Sequence, residues 1–303
     1  MLRPRLRIPR AGALLRRRTS PFAHSFHTVP ELDQFKMHGQ VPGVLSPAGY
    51  AMAWTQYMEH ITEKLNFMTA GTDYEHQDAL TILKSAARNP AQAAIFNYAS
   101  MSHNNHFFFK QLLNLQTLYD EMVEKQRPTG QTEDKIELEP SENRIPPRLK
   151  KELERNFSSI ETLRLELLTT ASAMFGPGFV WLVKNAQSLE LRVLATYLAG
   201  SPYTAAHWRR QNVDWNTSSA DRTTVSGFYD RAQTGAGNTG GQFTHQAPGG
   251  TDVTPLLCLN TWEHVWLGDY GIKGKGTYLE QWWEAIDWQK VESLAIPQRG
   301  SFR

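Results

Sequence analysis

Apolar side chains recur at helical spacing through the first third of the chain. Ser46 and Pro47 form a helix-start signal, because a serine side chain caps free backbone N–H groups and proline fits the first turn. The spacing predicts a helix from about Ser46, a second helical region over 74–87 and a third over 90–115. The apolar stripe of the first helix comprises Tyr50, Trp54, Tyr57, Met58, Ile61 and Leu65.

The helical spacing of apolar residues is interrupted in the middle of the chain and then resumes. Residues 124–147 are polar and punctuated by prolines, which is typical of a linker between domains. An apolar stripe from Leu149 to Ile160 then predicts an amphipathic helix. Ser158 is predicted to cap the following helix, with Glu161 as its capping-box partner.

Three short segments farther on are predicted strands. The first starts within Phe175–Val183, the second covers Leu189–Tyr197 and the third covers Thr254–Leu259. Between the last two lies an insertion, residues 202–251, whose glycine-rich centre cannot pack by itself. We expect this insertion to become ordered against a partner; a disordered loop is the alternative.

Charge is distributed unevenly along the chain. Residues 1–27 contain seven arginines and no acidic residue. An arginine-rich, acid-free N-terminus predicts a mitochondrial targeting presequence over 1–27, and the alternative is a basic arm that binds nucleic acid. Residues 28–303 then hold 25 Lys and Arg against 30 Asp and Glu, a net charge of −5. Such a protein would contact RNA only through a local basic patch.

Other bulk features narrow the function further. Cys258 is the only cysteine, which excludes an intramolecular disulfide and favours a reducing compartment, and its apolar neighbours predict that it is buried. No apolar run is long enough to span a membrane. The sequence contains no phosphate-binding glycine loop after a strand, no G-x-S-x-G elbow and no C-x-x-C pair.

A motif near the C-terminus is the most specific feature of the sequence. Residues 255–264 read P-L-L-C-L-N-T-W-E-H, and Tyr278-Leu279-Glu280-Gln281-Trp282 follows. The motif resembles the C-terminal signature of the iron/manganese superoxide dismutases, P-L-L-x-x-D-x-W-E-H before a Y-L-x-x-x-W helix. The resemblance covers roughly residues 27–290 apart from the insertion.

The resemblance implies an α+β fold. An N-terminal antiparallel helical hairpin (28–123) would be joined by the linker (124–147) to a C-terminal α/β domain with a small antiparallel sheet (148–290), followed by a tail (291–303). Phe175-Gly176-Pro177-Gly178 resembles the glycine-containing turn that enters the first strand in that family.

The resemblance also locates the positions of the family's metal ligands, which are three histidines and one aspartate. His106, in His103-Asn104-Asn105-His106, and His264 match two of the histidines. Asn260 stands where the family has its aspartate, and alignment on Ser46-Pro47 places Tyr57 where the first histidine is expected. An amide cannot compensate the charge of a metal. We therefore predict no metal, no cofactor and vestigial ligand positions at His106, Asn260 and His264.

Glu263 and His264 have a second role in the family. In active dimers this pair reaches across the two-fold interface, so their presence predicts a retained dimer interface. The alternative is a hydrogen bond within one chain. The pairing is expected to join two different dismutase-like paralogues as a heterodimer.

A mitochondrial dismutase-like chain without its metal site resembles the dismutase-like proteins of the fungal mitochondrial small ribosomal subunit. This implies a non-catalytic structural constituent that contacts neighbouring ribosomal proteins. Limited contact with ribosomal RNA could come from the basic-aromatic segment 207–211. The alternatives are a superoxide dismutase with a rearranged ligand set, in which His60 joins His106 and His264, and a matrix dimer with no ribosomal role.

Overall fold

The computed structural model describes residues 27–87, 89–126, 138–203 and 252–296. Its N-terminal half is helical, as the apolar spacing predicts. A helical stretch runs from Pro47 to Thr69 and contains a π-helical turn, Ala51–Gln56. The α-helices of this half are α1 (Pro47–Tyr50), α2 (Tyr57–Thr69), α3 (Ala79–Ala86), α4 (Ala93–Lys110) and α5 (Leu115–Gln126).

Local capping explains where these helices begin. The Ser46 hydroxyl accepts a hydrogen bond from the Gly49 N–H at 3.1 Å, and Pro47 occupies the first turn, which confirms the predicted start. Helix α3 begins later than predicted because Asp78 caps it, accepting from the N–H groups of Leu80 and Thr81. Helices α2, α3 and α4 share a small core of Leu65, Ile82, Leu83, Ala86, Ala87, Phe96 and Ala99.

The C-terminal half holds five more helices in the described part of the chain. Helices α6 (Pro147–Phe157) and α7 (Ile160–Ala173) precede the sheet. Helices α8 (Glu263–Tyr270), α9 (Lys275–Glu284) and α10 (Trp288–Ala295) follow it.

The predicted cap of helix α7 is wrong by one residue. The Ser159 hydroxyl, not that of Ser158, accepts the Thr162 N–H at 3.1 Å. Ser158 instead adopts a φ of 69° where α6 ends, so the chain reverses there and the capping position moves on. Glu161 consequently lies one position too early to form the predicted capping box with that serine.

The sheet has three antiparallel strands, β1 (Gly178–Asn185), β2 (Leu191–Tyr197) and β3 (Val253–Asn260), in the order β2-β1-β3. Gly178 pairs with Tyr197 and Phe179 with Asn260, so the end of β3 lies beside the start of β1. A Cβ atom at Gly178 would lie 2.2 Å from the Thr196 carbonyl oxygen. Only glycine permits this close approach of two strands.

Three predicted boundaries fall inside regular structure. The predicted linker, 124–147, starts within helix α5 and ends on the first residue of α6. The predicted tail starts within helix α10, whose Val291 and Ala295 are buried. Residues 1–26, 127–137, 204–251 and 297–303 lie outside the described residues, and most of the predicted presequence and insertion fall there.

One core unites the two halves of the chain. Its largest fully buried side chains are aromatic and include Trp181, Tyr278, Trp282 and Trp283. Cys258 is buried and free, as predicted. Among the described residues, no helix combines the length and apolar character needed to cross a membrane.

Candidate functional site

A chain of buried amides occupies the centre of the predicted ligand positions. Strand β3 ends at Asn260, whose side chain is completely buried. Its Nδ2 donates to Asn105 Oδ1 of helix α4 at 3.1 Å. The Asn105 Nδ2 in turn donates to the Ala53 carbonyl in the π-helical turn, also at 3.1 Å. We call these three groups the amide relay.

The groups at both ends of the amide relay determine the direction in which its hydrogen bonds are donated. The Ala53 carbonyl can only accept, so the amide nitrogen of Asn105 must face it. At the other end Asn260 Oδ1 accepts the Trp262 N–H at 2.9 Å, which leaves only the Asn260 Nδ2 to face Asn105. A carboxylate at position 260 would place one of its oxygens against the Asn105 Oδ1, so that two hydrogen-bond acceptors would face each other. The amide is therefore required by its neighbours where the related motif has aspartate.

His264 lies at the first turn of helix α8 and faces the same region. Its ring stacks on Tyr57 with ring centroids 4.1 Å apart and an interplanar angle of 23°. Burial lowers the pKa of His264 to about 4, so the ring is neutral at pH 7. His264 Nε2 and Trp262 Nε1 are both buried and have no hydrogen-bond partner within the described part of the chain. Buried polar atoms of this kind normally acquire a partner.

His106 follows Asn105 on helix α4 and contributes a half-buried ring. The ring centroid lies 6.1 Å from that of Trp54. Burial, followed by the charge of Lys110, lowers the pKa of His106. His60 is exposed, and its ring contact is with Tyr98 at 6.5 Å rather than with the other two histidines. The structure does not bring His60 into a shared site.

A cavity of about 340 Å³ borders helix α4, with histidines 27, 76, 103 and 106 in its wall. Two of these rings already have partners. His27 Nε2 shares a hydrogen bond with the Thr69 hydroxyl at 3.0 Å, and His103 Nε2 shares one with the Tyr203 hydroxyl at 2.9 Å. His27 and His103 are therefore engaged in structural contacts.

Residues 199–203, which include the first two residues of the predicted insertion, lie on helix α4. Ser100 donates to the Ala199 carbonyl at 2.6 Å and Asn104 donates to the Gly200 carbonyl at 2.9 Å. The Lys84 ammonium lies 4.7 Å from the centre of the Tyr203 ring. The start of the insertion is thus held on the N-terminal helices, and residues 204–251 lie outside the described residues.

The donor set does not fit a dismutase metal. Within residues 27–87, 89–126, 138–203 and 252–296, no three His, Cys, Asp or Glu side chains are grouped so that they could hold a metal ion. The Asn260 Nδ2 donates to Asn105 and the Asn260 Oδ1 accepts the Trp262 N–H, and an amide oxygen does not neutralise charge. His106 and His264 remain as the two matching imidazoles.

The buried histidines make stability depend on pH. Burial lowers the pKa of His103 to about 4, with smaller contributions from His106 and Lys84, and the pKa of His264 is about 4 as well. The unfolded chain binds these protons at higher pH than the folded protein does. Stability is therefore complete above an unfolded pKa of about 6.5 and falls as the pH decreases toward the folded values.

We expect the free energy of unfolding to fall by about 2 kcal/mol per histidine between about pH 7.5 and about pH 5. Urea unfolding of the purified protein at both values measures this change. Substitution His103→Gln should remove about half of the combined decrease in the free energy of unfolding that His103 and His264 cause. A stability that does not change across this range would contradict the assignment of neutral, buried imidazoles.

The second half of the chain is similar to a known protein family. Residues 146–215 and 234–294 match the model of the iron/manganese superoxide dismutase C-terminal domain. Together with the helical N-terminal half and the three-stranded antiparallel sheet, this match confirms the predicted α+β, dismutase-like fold.

Similarity to individual proteins extends over most of the chain. The chain is 28% identical to small ribosomal subunit protein mS43 of Schizosaccharomyces pombe over 89% of this chain and 85% of that protein. It is 25% identical to small ribosomal subunit protein mS42 of the same yeast over 70% and 71%. The iron superoxide dismutase of Escherichia coli K12 is 23% identical over 75% and 77%.

Sequence reasoning identified Asn260 but missed the group that it contacts. Asn105 lies within the His103–His106 segment that resembles one ligand motif, and Asn260 lies in the other. The presence of an asparagine in both motifs was the sequence feature from which their contact could have been predicted. Tyr278 was identified as part of the motif, but its hydrogen bond was not predicted: the Tyr278 hydroxyl donates to the Asn260 backbone carbonyl at 2.7 Å. Burial raises the pKa of Tyr278 well above its usual range, so the hydroxyl stays a donor.

Proposed function

We propose that this protein is a structural constituent of the mitochondrial small ribosomal subunit. The observation that carries the proposal is its similarity to two small ribosomal subunit proteins over most of its length. The arginine-rich, acid-free N-terminus agrees with import into the mitochondrial matrix. The protein acts in mitochondrial translation as part of the ribosome.

The protein has no catalytic role in this proposal. The amide relay replaces a metal-binding carboxylate with a neutral amide whose nitrogen and oxygen each already have a hydrogen-bond partner. The two remaining imidazoles are held by packing against Tyr57 and Trp54. The dismutase fold then serves as a scaffold, and His106, Asn260 and His264 are vestiges of the ligand set.

The protein pairs with a dismutase-like paralogue through the face that carries Glu263 and His264. Buried nitrogens at His264 and Trp262 that have no partner in the described part of one chain support an acceptor from a second chain. Similarity to both mS43 and mS42 supports paralogues as the pair. A heterodimer rather than a homodimer is our proposal.

Remaining contacts are proposed to be mainly with neighbouring ribosomal proteins. The segments available for them are the insertion (202–251), the linker (124–147) and the terminal segments. The net charge of −5 after the presequence limits contact with ribosomal RNA to local patches, of which 207–211 is the candidate. That segment lies outside the described residues.

Purification of the tagged protein from mitochondria tests the proposal. We expect small-subunit ribosomal proteins and one dismutase-like paralogue to co-purify, with iron and manganese far below one ion per chain. A tagged Escherichia coli iron superoxide dismutase, purified identically, controls for metal loss. A metal-loaded protein without ribosomal proteins would contradict the proposal and favour a dismutase with a rearranged ligand set.

A further inference from the structure

Helix α6 (Pro147–Phe157) has a strongly basic outer face. Its inner side is apolar and buried in the main core, and comprises Leu149, Leu153 and Phe157. On the opposite side, Arg148, Lys151 and Arg155 recur at the spacing of one helix face, and all three are exposed. We call these three side chains the basic face. They extend over about 10 Å of the helix axis, since each helical residue adds about 1.5 Å.

No carboxylate neutralises the basic face within the described part of the chain. None of its three side chains forms an ion pair with another described residue. The two carboxylates of the helix lie on its flanks. Glu152 accepts a hydrogen bond from the Lys184 ammonium of strand β1 at 2.6 Å, and Glu154 lies one turn after Lys150. The basic face therefore presents three uncompensated positive charges to solvent.

These charges do not stabilise the helix itself. Lys151 lies three residues after Arg148 and four residues before Arg155, so like charges repel one another along the face. Arg148 also lies in the first helical turn, which contains no acidic residue and where the helix dipole disfavours a positive charge. An anionic partner would relieve both effects.

The composition of the face indicates which anionic partner fits. The exposed residues of helix α6 are Pro147 and the three cations. A protein–protein interface is normally built around apolar and aromatic side chains, and lysine is depleted in it. Phosphate groups of nucleic acids are contacted mainly by arginine and lysine, and arginine binds them in bidentate geometry. The face therefore suits a phosphate backbone better than an acidic protein.

We propose that the basic face of helix α6 docks on the phosphate backbone of the small-subunit ribosomal RNA. The inference rests on the proposed function, because that function supplies the RNA. Residues 28–303 hold 25 basic and 30 acidic residues, so most of the protein surface does not attract phosphates and the basic face orients the protein at a local contact. Phosphate contacts position a protein without reading base sequence.

The salt dependence of RNA binding tests the basic face. The purified full chain binds protein-free ribosomal RNA of the mitochondrial small subunit over a range of KCl concentrations. With Arg148→Gln, Lys151→Gln and Arg155→Gln combined, the slope of log affinity against log salt should become shallower by about 2. If the triple variant does not fold, Lys151→Gln alone should lower the slope by about 0.7–0.9. A slope equal to that of the wild type would overturn the inference.

Two further variants control for net charge and for side-chain shape. Lys64→Gln, Lys110→Gln and Lys273→Gln combined remove the same charge from three exposed lysines outside helix α6 and should leave the slope near that of the wild type. An equally large decrease in this control would show that only net charge matters and would overturn the inference. Arg148→Lys with Arg155→Lys retains the charge and should retain the slope.

Photocrosslinking in isolated small subunits identifies the partner of the face. A diazirine-bearing side chain replaces Lys151, which lies at the centre of the basic face. We expect an adduct that ribonuclease shortens and that contains small-subunit ribosomal RNA. An adduct with a protein would favour an acidic protein partner and would overturn the inference. The absence of any adduct in subunits that contain the chain would overturn it as well.

The two measurements separate this inference from the proposed function. If the wild-type chain is absent from small subunits, the ribosomal proposal fails. In that case a lowered slope of the first triple variant would still support a phosphate-binding face, and an unchanged slope would overturn the face too. If the chain sediments with small subunits but the slope is unchanged or no RNA adduct forms, only the docking inference fails.

Discussion

Substitution of Asn260 by aspartate, which recreates the motif of the related dismutases, is expected to lower the free energy of unfolding by about 3 kcal/mol at neutral pH. The new carboxylate would face Asn105 Oδ1 across 3.1 Å in a fully buried position. The Asn105 amide cannot rotate to relieve this, because its nitrogen is needed by the Ala53 carbonyl. We also expect no metal binding, because Tyr57 supplies no imidazole.

Chemical denaturation of the purified Asn260→Asp protein measures the effect. Asn185→Asp is the matched control, since Asn185 is also buried and in the same sheet but uses its Oδ1 only to accept from the N–H groups of Gln187 and Ser188. A carboxylate keeps both of those bonds, so the control should be nearly neutral. Lower pH should reduce the penalty at position 260, because a protonated carboxyl can donate to Asn105. Iron or manganese bound to the Asn260→Asp protein would contradict the account of the relay.

Glu263→Lys is expected to weaken pairing with the dismutase-like paralogue strongly. In the proposed interface this carboxylate meets an imidazole of the partner subunit, and the reversed charge replaces an acceptor with a donor. Loss of a buried, charged hydrogen bond at an interface costs roughly 2–5 kcal/mol, which corresponds to at least a thirtyfold weaker association. Analytical ultracentrifugation of the co-expressed pair measures the association.

Stability of the single chain must be followed in parallel, because Glu263 lies in the first turn of helix α8 and favours that helix end. Glu280→Lys, at an exposed position of helix α9, is the matched charge reversal and should leave pairing intact. If the Glu263→Lys protein pairs as tightly as the wild type, Glu263 does not lie in the interface. The nitrogens of His264 and Trp262 would then need another partner.

Much of the fold was predictable because helix starts and strand alternation are local signals. Ser46 and Pro47 predicted a helix start that the structure confirms. The three strands lie within a few residues of their predicted positions. The capping of helix α7 was mispredicted because it depends on a residue with positive φ, Ser158, which lies between two helices that pack on each other. No local pattern reports that packing.

The site was only partly predictable for a related reason. The motif placed Asn260 and His264 at ligand positions, and the loss of a carboxylate was visible in the sequence. The amide relay itself was not visible in the sequence, because Asn105 and Asn260 are separated by 155 residues and meet only in the folded protein. Likewise, the partnership of His103 with Tyr203 depends on where the chain crosses helix α4 after strand β2.

One helix was not predicted at all. No element was predicted for residues 116–123, between the third helical region (90–115) and the linker (124–147), yet the sequence from Leu115 to Gln126 forms a separate helix. The preceding helix ends at Lys110, five residues before the end of the predicted region. Two helices separated by a few residues are difficult to distinguish from one by periodicity alone.

The most direct test of the central claim is sedimentation of a mitochondrial lysate through a high-salt sucrose gradient, with each fraction probed for this chain. High salt removes proteins that bind ribosomes only by weak, screened charge contacts. The account predicts that the chain migrates with the small ribosomal subunit. Migration as a free dimer near the top of the gradient would contradict it, and the metal content of that pool would then decide whether the protein is a dismutase.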